Sequence, residues 1–321
     1  MTELSEAIGE RWQPAGSVQR RRVHVIINSR SGTPGKEAIA ARVEEYFVSR
    51  GLPVSMELVR TADELVLASS RAANRDAEVV VAGGGDGTIA TIASGLLDVP
   101  KLLAVLPLGT FNYFARRVGV PLDLEGALDV AARGVPVATA IGEVNGRVFL
   151  NNASIGLYPT VLKQRETTYQ VMGRSQAAAY LSVAFALLQP PSLLNLEMTA
   201  DGAPLDRRTP LLFVGINRQQ LGAFGIPGEE CLDTGALALY VTRPLTSVQL
   251  WRLAVRGFLR GLYGAGELEV VCARDVQVTL RRRRVRVAMD GEIAKLRTPL
   301  RFRLRRDALQ VLTAPPAAEG S

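Results

Sequence analysis

The chain reads as an α/β fold with a parallel sheet in its N-terminal part, followed by a mostly antiparallel β region. Three observations carry this reading. Short apolar runs alternate with helical stretches from Arg20 to about Ala138, the pattern of a parallel sheet covered by helices. Strand-like runs dominate after Thr139, with two helical insertions. The 321 residues are 47% hydrophobic and 21% charged, enough to bury a large core and to form about two domains.

In order, the strands of the first part are expected at VHVIIN (23–28), PVSMELV (53–59), AEVVVAG (77–83) and KLLAVLPLG (101–109). Helices fit near 36–49, 62–74, 88–97, 111–118 and 124–133. The second part offers strands near 135–144, 147–154, 193–200, 209–216, 236–242, 267–288 and 300–313, with helices near 174–188 and 246–263. The expected division is a tail at 1–18, an α/β domain at 19–138, a β-rich domain at 139–313 and a tail at 314–321.

Composition excludes several chemistries. Cys231 and Cys272 cannot build a Cys-rich zinc site, and a single histidine, His24, removes multi-His metal sites and serine-type triads. The opening MTELSEAIGERWQPAG has acids and no apolar core of a secretory signal. Apolar runs fall short of the ~20 residues that a spanning helix needs. A reducing cytoplasm is the expected setting.

The sharpest local signal is Gly83-Gly84-Gly85-Asp86-Gly87-Thr88, between a strand and a helix. Glycines there let backbone N–H groups converge on a phosphate, the helix N-terminus adds positive character, and Thr88 can bond a phosphate oxygen. Gly85 to Ala90 also fits G-x-G-x-x-A, yet it follows the third strand and no acid is placed for a ribose, which argues against a Rossmann dehydrogenase. No P-loop sequence occurs. Two more strand ends point to the same sheet edge, Asn28-Ser29-Arg30-Ser31-Gly32 and Leu106-Pro107-Leu108-Gly109-Thr110-Phe111-Asn112, and Thr61 follows the second strand. In an open α/β sheet ligands collect at that edge.

On the motifs N-S-R-S-G, G-G-G-D-G-T and L-P-L-G-T-F-N-Y-F-A-R, the sequence resembles the diacylglycerol kinase catalytic family, over about residues 20–313. It is most similar to the soluble bacterial lipid kinases, which resemble sphingosine and ceramide kinases and, more distantly, NAD kinases. The resemblance implies an N-terminal ATP-binding domain, a β-sandwich-like C-terminal domain and lipid entry between them. It places the ATP loops on Asn28 to Gly32 (Ser31 included), Thr61, Gly84 to Thr88, and Gly109 to Thr110; Gly83 and Asn112, which flank them, are further candidates for nucleotide contact. The family's Asp-Gly-Glu segment matches Asp290-Gly291-Glu292. Asp290 is then the expected base for a lipid hydroxyl, Glu292 supports it or a metal, and Asp86 is a further candidate catalytic carboxylate. Without the resemblance, D-G reads as an ordinary hairpin turn.

Two positions depart from the family pattern. Tyr113 stands where the family commonly has Asp, and Thr234 stands where it tends to have the Asp of a structural Mg²⁺ site. Asp233 is the remaining candidate ligand there, while Mg²⁺ accompanying ATP is expected regardless. NAD kinase, and a nucleotide- or lipid-binding regulator without turnover, remain alternatives. The chain's net charge is +7, but residues 281–306 alone hold eleven Arg or Lys against Asp290 and Glu292, leaving the remainder slightly acidic. Such a patch suits an anionic membrane, a polyphosphate or nucleic acid. No RNP-like, zinc-finger or helix-turn-helix pattern supports nucleic acid, so peripheral membrane contact is the expectation, with a second copy of the chain open as a partner. Residues 246–263 set Val248, Trp251, Val255, Phe258 and Leu262 on one helical face beside Arg252, Arg256 and Arg260. That pattern fits an interfacial helix or one packed on the β region.

Overall fold

The computed structural model describes residues 21–29, 36–157, 193–244 and 268–315, with isolated positions 159, 246, 248, 249 and 252. Strands β1 (Val23–Asn28), β2 (Val54–Val59), β3 (Val79–Gly84) and β4 (Leu102–Pro107) run parallel in the order β4-β3-β1-β2. Central β3 is buried at every residue, as expected for a parallel strand covered on both faces. The connecting helices are α1 (Lys36–Ser49), α2 (Ala62–Asn74), α3 (Asp86–Gly95), α4 (Tyr113–Arg117) and α5 (Leu124–Arg133).

Helix boundaries follow local chemistry. Thr61 caps α2 by accepting from the Glu64 N–H (3.1 Å), and the Glu64 carboxylate accepts from Arg60 N–H (2.7 Å), a reciprocal arrangement close to a capping box. The third helix begins at Asp86 rather than 88, because extended Gly85 serves as its N-cap. The fourth is shorter than the predicted 111–118, because Asn112 takes a left-handed conformation (φ 52°) and starts the helix only at Tyr113.

The second part contains β5 (Val135–Val144), β6 (Arg147–Phe149), β7 (Asn152–Gly156), β8 (Leu194–Ala200), β9 (Ala203–Pro204), β10 (Arg207–Thr209), β11 (Leu211–Gly215), α6 (Arg218–Phe224), α7 (Glu229–Asp233) and β12 (Leu237–Thr242). After these come β13 (Leu268–Ala273), β14 (Asp275–Thr279), β15 (Arg284–Met289), β16 (Glu292–Arg297) and β17 (Leu300–Thr313). The expected strand at 267–288 is three strands in two sheets. The chain changes sheets at Arg274, where Asp201 Oδ1 accepts from both the Arg274 and Asp275 N–H groups (2.9 Å each). The strand expected at 147–154 breaks at Leu150–Asn151, whose N–H groups point to a carboxylate instead of a ladder partner. The short helices α6 and α7 were not anticipated. The helix predicted at 174–188 lies outside the described residues, as does that at 246–263 except for isolated positions.

Two sheets result. One is six-stranded, in the order β13-β12-β11-β7-β15-β16. The other follows β10-β8-β14-β17-β4-β3-β1-β2, so the parallel sheet continues into the second half of the chain. The long β17 makes the join: it runs parallel to β4 and antiparallel to β5. Its Leu309, Val311 and Leu312 enter the first hydrophobic core, while Leu300 and Phe302 enter the second. In that second core Val214, Leu239 and Val287 of the smaller sheet are buried with Met198, Val276 and Phe302 of the larger, a sandwich-like arrangement. Cys231 of α7 and Cys272 of β13 form a disulfide, a pairing that the expectation of a reducing cytoplasm did not include.

Candidate active site

At the carboxyl ends of β1, β3 and β4 the predicted loops lie side by side. Ile27 is level with Gly83 and Gly84 with Pro107. Asn28 Nδ2 donates to Thr88 Oγ1 (2.9 Å), tying the first strand end to the glycine turn. A Cβ added to Gly109 would lie 2.4 Å from Gly85 Cα, so the two loops touch backbone to backbone and only glycine fits there. Among the described residues no side chain caps α3, so its first-turn N–H groups suit an anion. Thr110 is exposed at the rim. Asn112 is spent on its own loop: its side chain accepts from Gly109 N–H and donates to the carbonyls of Pro107 and Gly109. Thr61 serves as the α2 cap at the same edge. Ser31 and Gly32 lie outside the described residues.

Asp290 reaches this edge from the other half of the chain. It sits at the tip of the β15–β16 hairpin in a left-handed conformation (φ 47°) followed by Gly291 (φ 90°), as a tight hairpin turn requires. Its Oδ2 accepts from Leu150 N–H (2.6 Å), and its Oδ1 accepts from the N–H groups of Asn151 (2.8 Å) and Asn152 (3.1 Å). An ionised carboxylate offers about four lone-pair positions, so among the described residues one remains unfilled, on Oδ2. Burial pushes the Asp290 carboxyl up to about 7; the three N–H bonds act downward and the Asp86 carboxylate adds to the rise. Burial outweighs the hydrogen bonds, leaving the carboxyl poised near neutrality.

Asp86 and Asp290 are joined through one residue. Asn151 donates its backbone N–H to Asp290 and its side-chain amide to Asp86 Oδ1 (3.1 Å). Asp86 also accepts from the N–H groups of Tyr113 (3.2 Å) and Phe114 (2.8 Å), holding the start of α4. Asn217 completes the link by donating to Asn151 Oδ1 (2.5 Å) and to the Tyr113 carbonyl (3.0 Å). The Tyr113 ring stacks on Phe111, so this departure from the family pattern gives the cleft an aromatic wall. Arg117 braces the same strand break by donating to the Leu150 and Ala140 carbonyls (2.9 Å each). Burial lowers its pKa to about 10 while Asp290 acts to raise it, so it stays cationic at neutral pH. Glu292 packs over the start of α3, where a Cβ on Gly87 would come 2.7 Å from its Oε1.

Asp233 lies apart from this network. It pairs with Arg218, which also binds Glu229, on the wall of a cavity of about 350 Å³ lined also by Arg117 and Arg306. The neighbouring carbonyls are taken too: Arg306 donates to those of Thr234 (3.1 Å) and Gly235 (3.2 Å), and Arg274 to that of Thr234 (3.2 Å). Guanidinium groups use the oxygens that Mg²⁺ would need, so these residues do not fit a structural Mg²⁺ site. Among the described residues no group of three or more His, Cys, Asp or Glu gathers to hold a metal. Glu292 is exposed and without an ion pair among the described residues, which leaves its carboxylate able to meet a metal carried by a bound triphosphate.

Sequence reading singled out Asp86, Asp290 and the glycine turn, which the structure brings together, but not Asn151, Asn217 and Arg117, which link or brace them. The adjacent Asn151-Asn152 between two short apolar runs was the only local hint. The donors to Asp290 are backbone groups, which leave no residue signature.

A parallel α/β sheet with a glycine turn at its carboxyl edge, facing a carboxylate supplied by a β sandwich, is the architecture of a two-part phosphotransferase cleft. Residues 22–144 match the family model of the diacylglycerol kinase catalytic domain. The N-terminal part of the chain is thus similar to the catalytic domain of these lipid kinases. It is 28% identical over 253 residues to a diacylglycerol kinase of Staphylococcus aureus (strain JH9), covering 77% of each chain. It superposes on the crystal structure of a diacylglycerol kinase from Bacillus anthracis str. Sterne with a TM-score of 0.69 at 20% identity, covering 93% of this chain and 99% of that one. A further crystal structure from the same organism gives a TM-score of 0.72 at 19% identity.

Proposed function

We propose that the protein transfers the γ-phosphate of ATP to the hydroxyl of a lipid, diacylglycerol first among the acceptors. The observation that carries this reading is the Asp290 carboxylate, held by three backbone N–H groups with one position open and tied through Asn151 to the glycine turn. The triphosphate lies over Gly83 to Thr88 and against the first turn of α3. The lipid hydroxyl meets the open Oδ2 position and gives its proton to Asp290 as its oxygen bonds to the γ-phosphorus. The bond from that phosphorus to the β–γ bridging oxygen breaks and ADP leaves. Mg²⁺ bound to the triphosphate would supply charge neutralisation, and Glu292, exposed beside the first turn of α3, would help to hold it. No helix among the described residues is long and apolar enough to cross a membrane. The acceptor's acyl chains therefore bring the enzyme to a bilayer surface, and the use of ATP puts that surface on the cytoplasmic side.

The test is phosphorylation of diacylglycerol, sphingosine, ceramide, phosphatidylglycerol and NAD from labelled ATP, comparing the wild type with Asp290→Asn. Labelled lipid lost in the variant supports the reading. Transfer to NAD, or equal turnover in Asp290→Asn, removes it.

A further inference from the structure

The β15–β16 hairpin that delivers Asp290 has two faces. Val285, Val287, Met289 and Leu296 pack in or against the second core, so the alternate residues form the opposite face. There Arg284 stands directly opposite Arg297, Arg286 opposite Lys295, and Ala288 opposite Ile293. The four cations are exposed, and none makes an ion pair among the described residues. Like charges directly opposite each other destabilise a strand pair. Protection of an edge strand needs no more than charges on β16, yet here half of the ladder lies on the inner strand β15. Toward the tip the ladder gives way to Ile293, an exposed large apolar side chain 39% accessible. One face thus combines cations with a projecting isoleucine and ends within about 20 Å of the base by strand rise.

We propose that this hairpin face is the docking surface for an anionic phospholipid bilayer, the headgroup phosphates lying between the opposed cations and Ile293 entering the interface. The assignment rests on the lipid-kinase reading for its role, since docking there brings the hairpin that carries Asp290 to the bilayer. Its test is binding without nucleotide, so it stands or falls apart from turnover.

Partition of the full chain onto phosphatidylglycerol/phosphatidylcholine vesicles is measured by sedimentation, with Arg286→Gln/Lys295→Gln as the test variant and Arg42→Gln/Arg133→Gln as a control of equal net charge. The test variant is expected to lose roughly twenty-fivefold in partition, about fivefold per cation, with the control close to wild type. Ile293→Ser is expected to weaken binding at high salt, where the electrostatic part is screened. Thermal melts without vesicles are expected to show the test variant at least as stable as wild type, since the opposed cations are relieved. Equal partition of both double variants overturns the proposal. So does binding of duplex or single-stranded DNA as tight as that to the anionic vesicles.

Discussion

The glycine edge and the Asp290 hairpin meet in one cleft but are built on opposite principles. At Gly85 and Gly109 the chain removes side chains so that backbone can approach backbone, with no room for a Cβ on Gly109. At Asp290 the chain brings in a side chain and surrounds it with backbone donors from a broken strand. In the proposed function the first region serves a charge that arrives with the nucleotide. The second keeps its own carboxylate where burial opposes ionisation, which suits the proton-accepting role proposed for it. The lesson is that hydrogen-bond count alone does not set the behaviour of a carboxylate: three donors at Asp290 are outweighed by burial.

The sharpest break of this contrast is Asp290→Asn. It keeps the shape but removes the proton acceptor, and a loss on the order of 10³-fold in phosphoryl transfer is expected with the fold retained by circular dichroism. A smaller loss, below tenfold, would show that another group takes the proton.

The pH profile comes next. With the carboxyl pushed up to about 7, activity is expected to fall about tenfold per pH unit well below that value and to level off above it. Stability moves the other way. The folded protein holds this proton to higher pH than the unfolded chain, so Asp290's contribution is full below the usual carboxylate range and is lost as pH rises through about 7. Denaturant midpoints at pH 5 and pH 8 in wild type and Asp290→Asn read this slope, which the variant is expected to lack.

On the glycine side, Gly109→Ala is expected to cost about 1–3 kcal/mol of stability through forced backbone movement and to weaken ATP binding measured by calorimetry. Gly85→Ala, whose Cβ would stand 3.4 Å from Gly109 Cα, is expected to be milder on both counts. Reversal of that order would mean that the two loops are not pressed together as described. The smallest effect on turnover is expected at Asn151→Ala, which keeps its backbone donor to Asp290 but loses the amide bond to Asp86 and the acceptor for Asn217. About 1 kcal/mol of stability should go, with a modest fall in turnover, and Asn151→Gln is expected to restore neither because the longer amide overshoots Asp86.

Much of the fold was legible because its signals are local. β1 to β4 are six-residue strands whose apolar runs stand between helical periods. The segment 267–288 does not divide into strands by its pattern, because β13 and β14 both supply apolar residues to the second core and differ in the sheet that each joins. Nothing in RFRLRRDALQVLT shows that one strand will pair with β4 at one end and β14 at the other.

Residue type and spacing by themselves determined the parallel α/β half, the glycine turn and the presence of an Asp-Gly-Glu hairpin, because helix and strand periods and glycine's conformational range act within a few residues. Only the tertiary structure decided that Asp290 meets the N–H groups of residues some 140 positions earlier, that Asn151 joins it to Asp86, and that arginines take the oxygens around Thr234. Those contacts are made by backbone groups, a side-chain amide and charges of kinds found throughout the chain, and their partners are chosen by how the sheets pack.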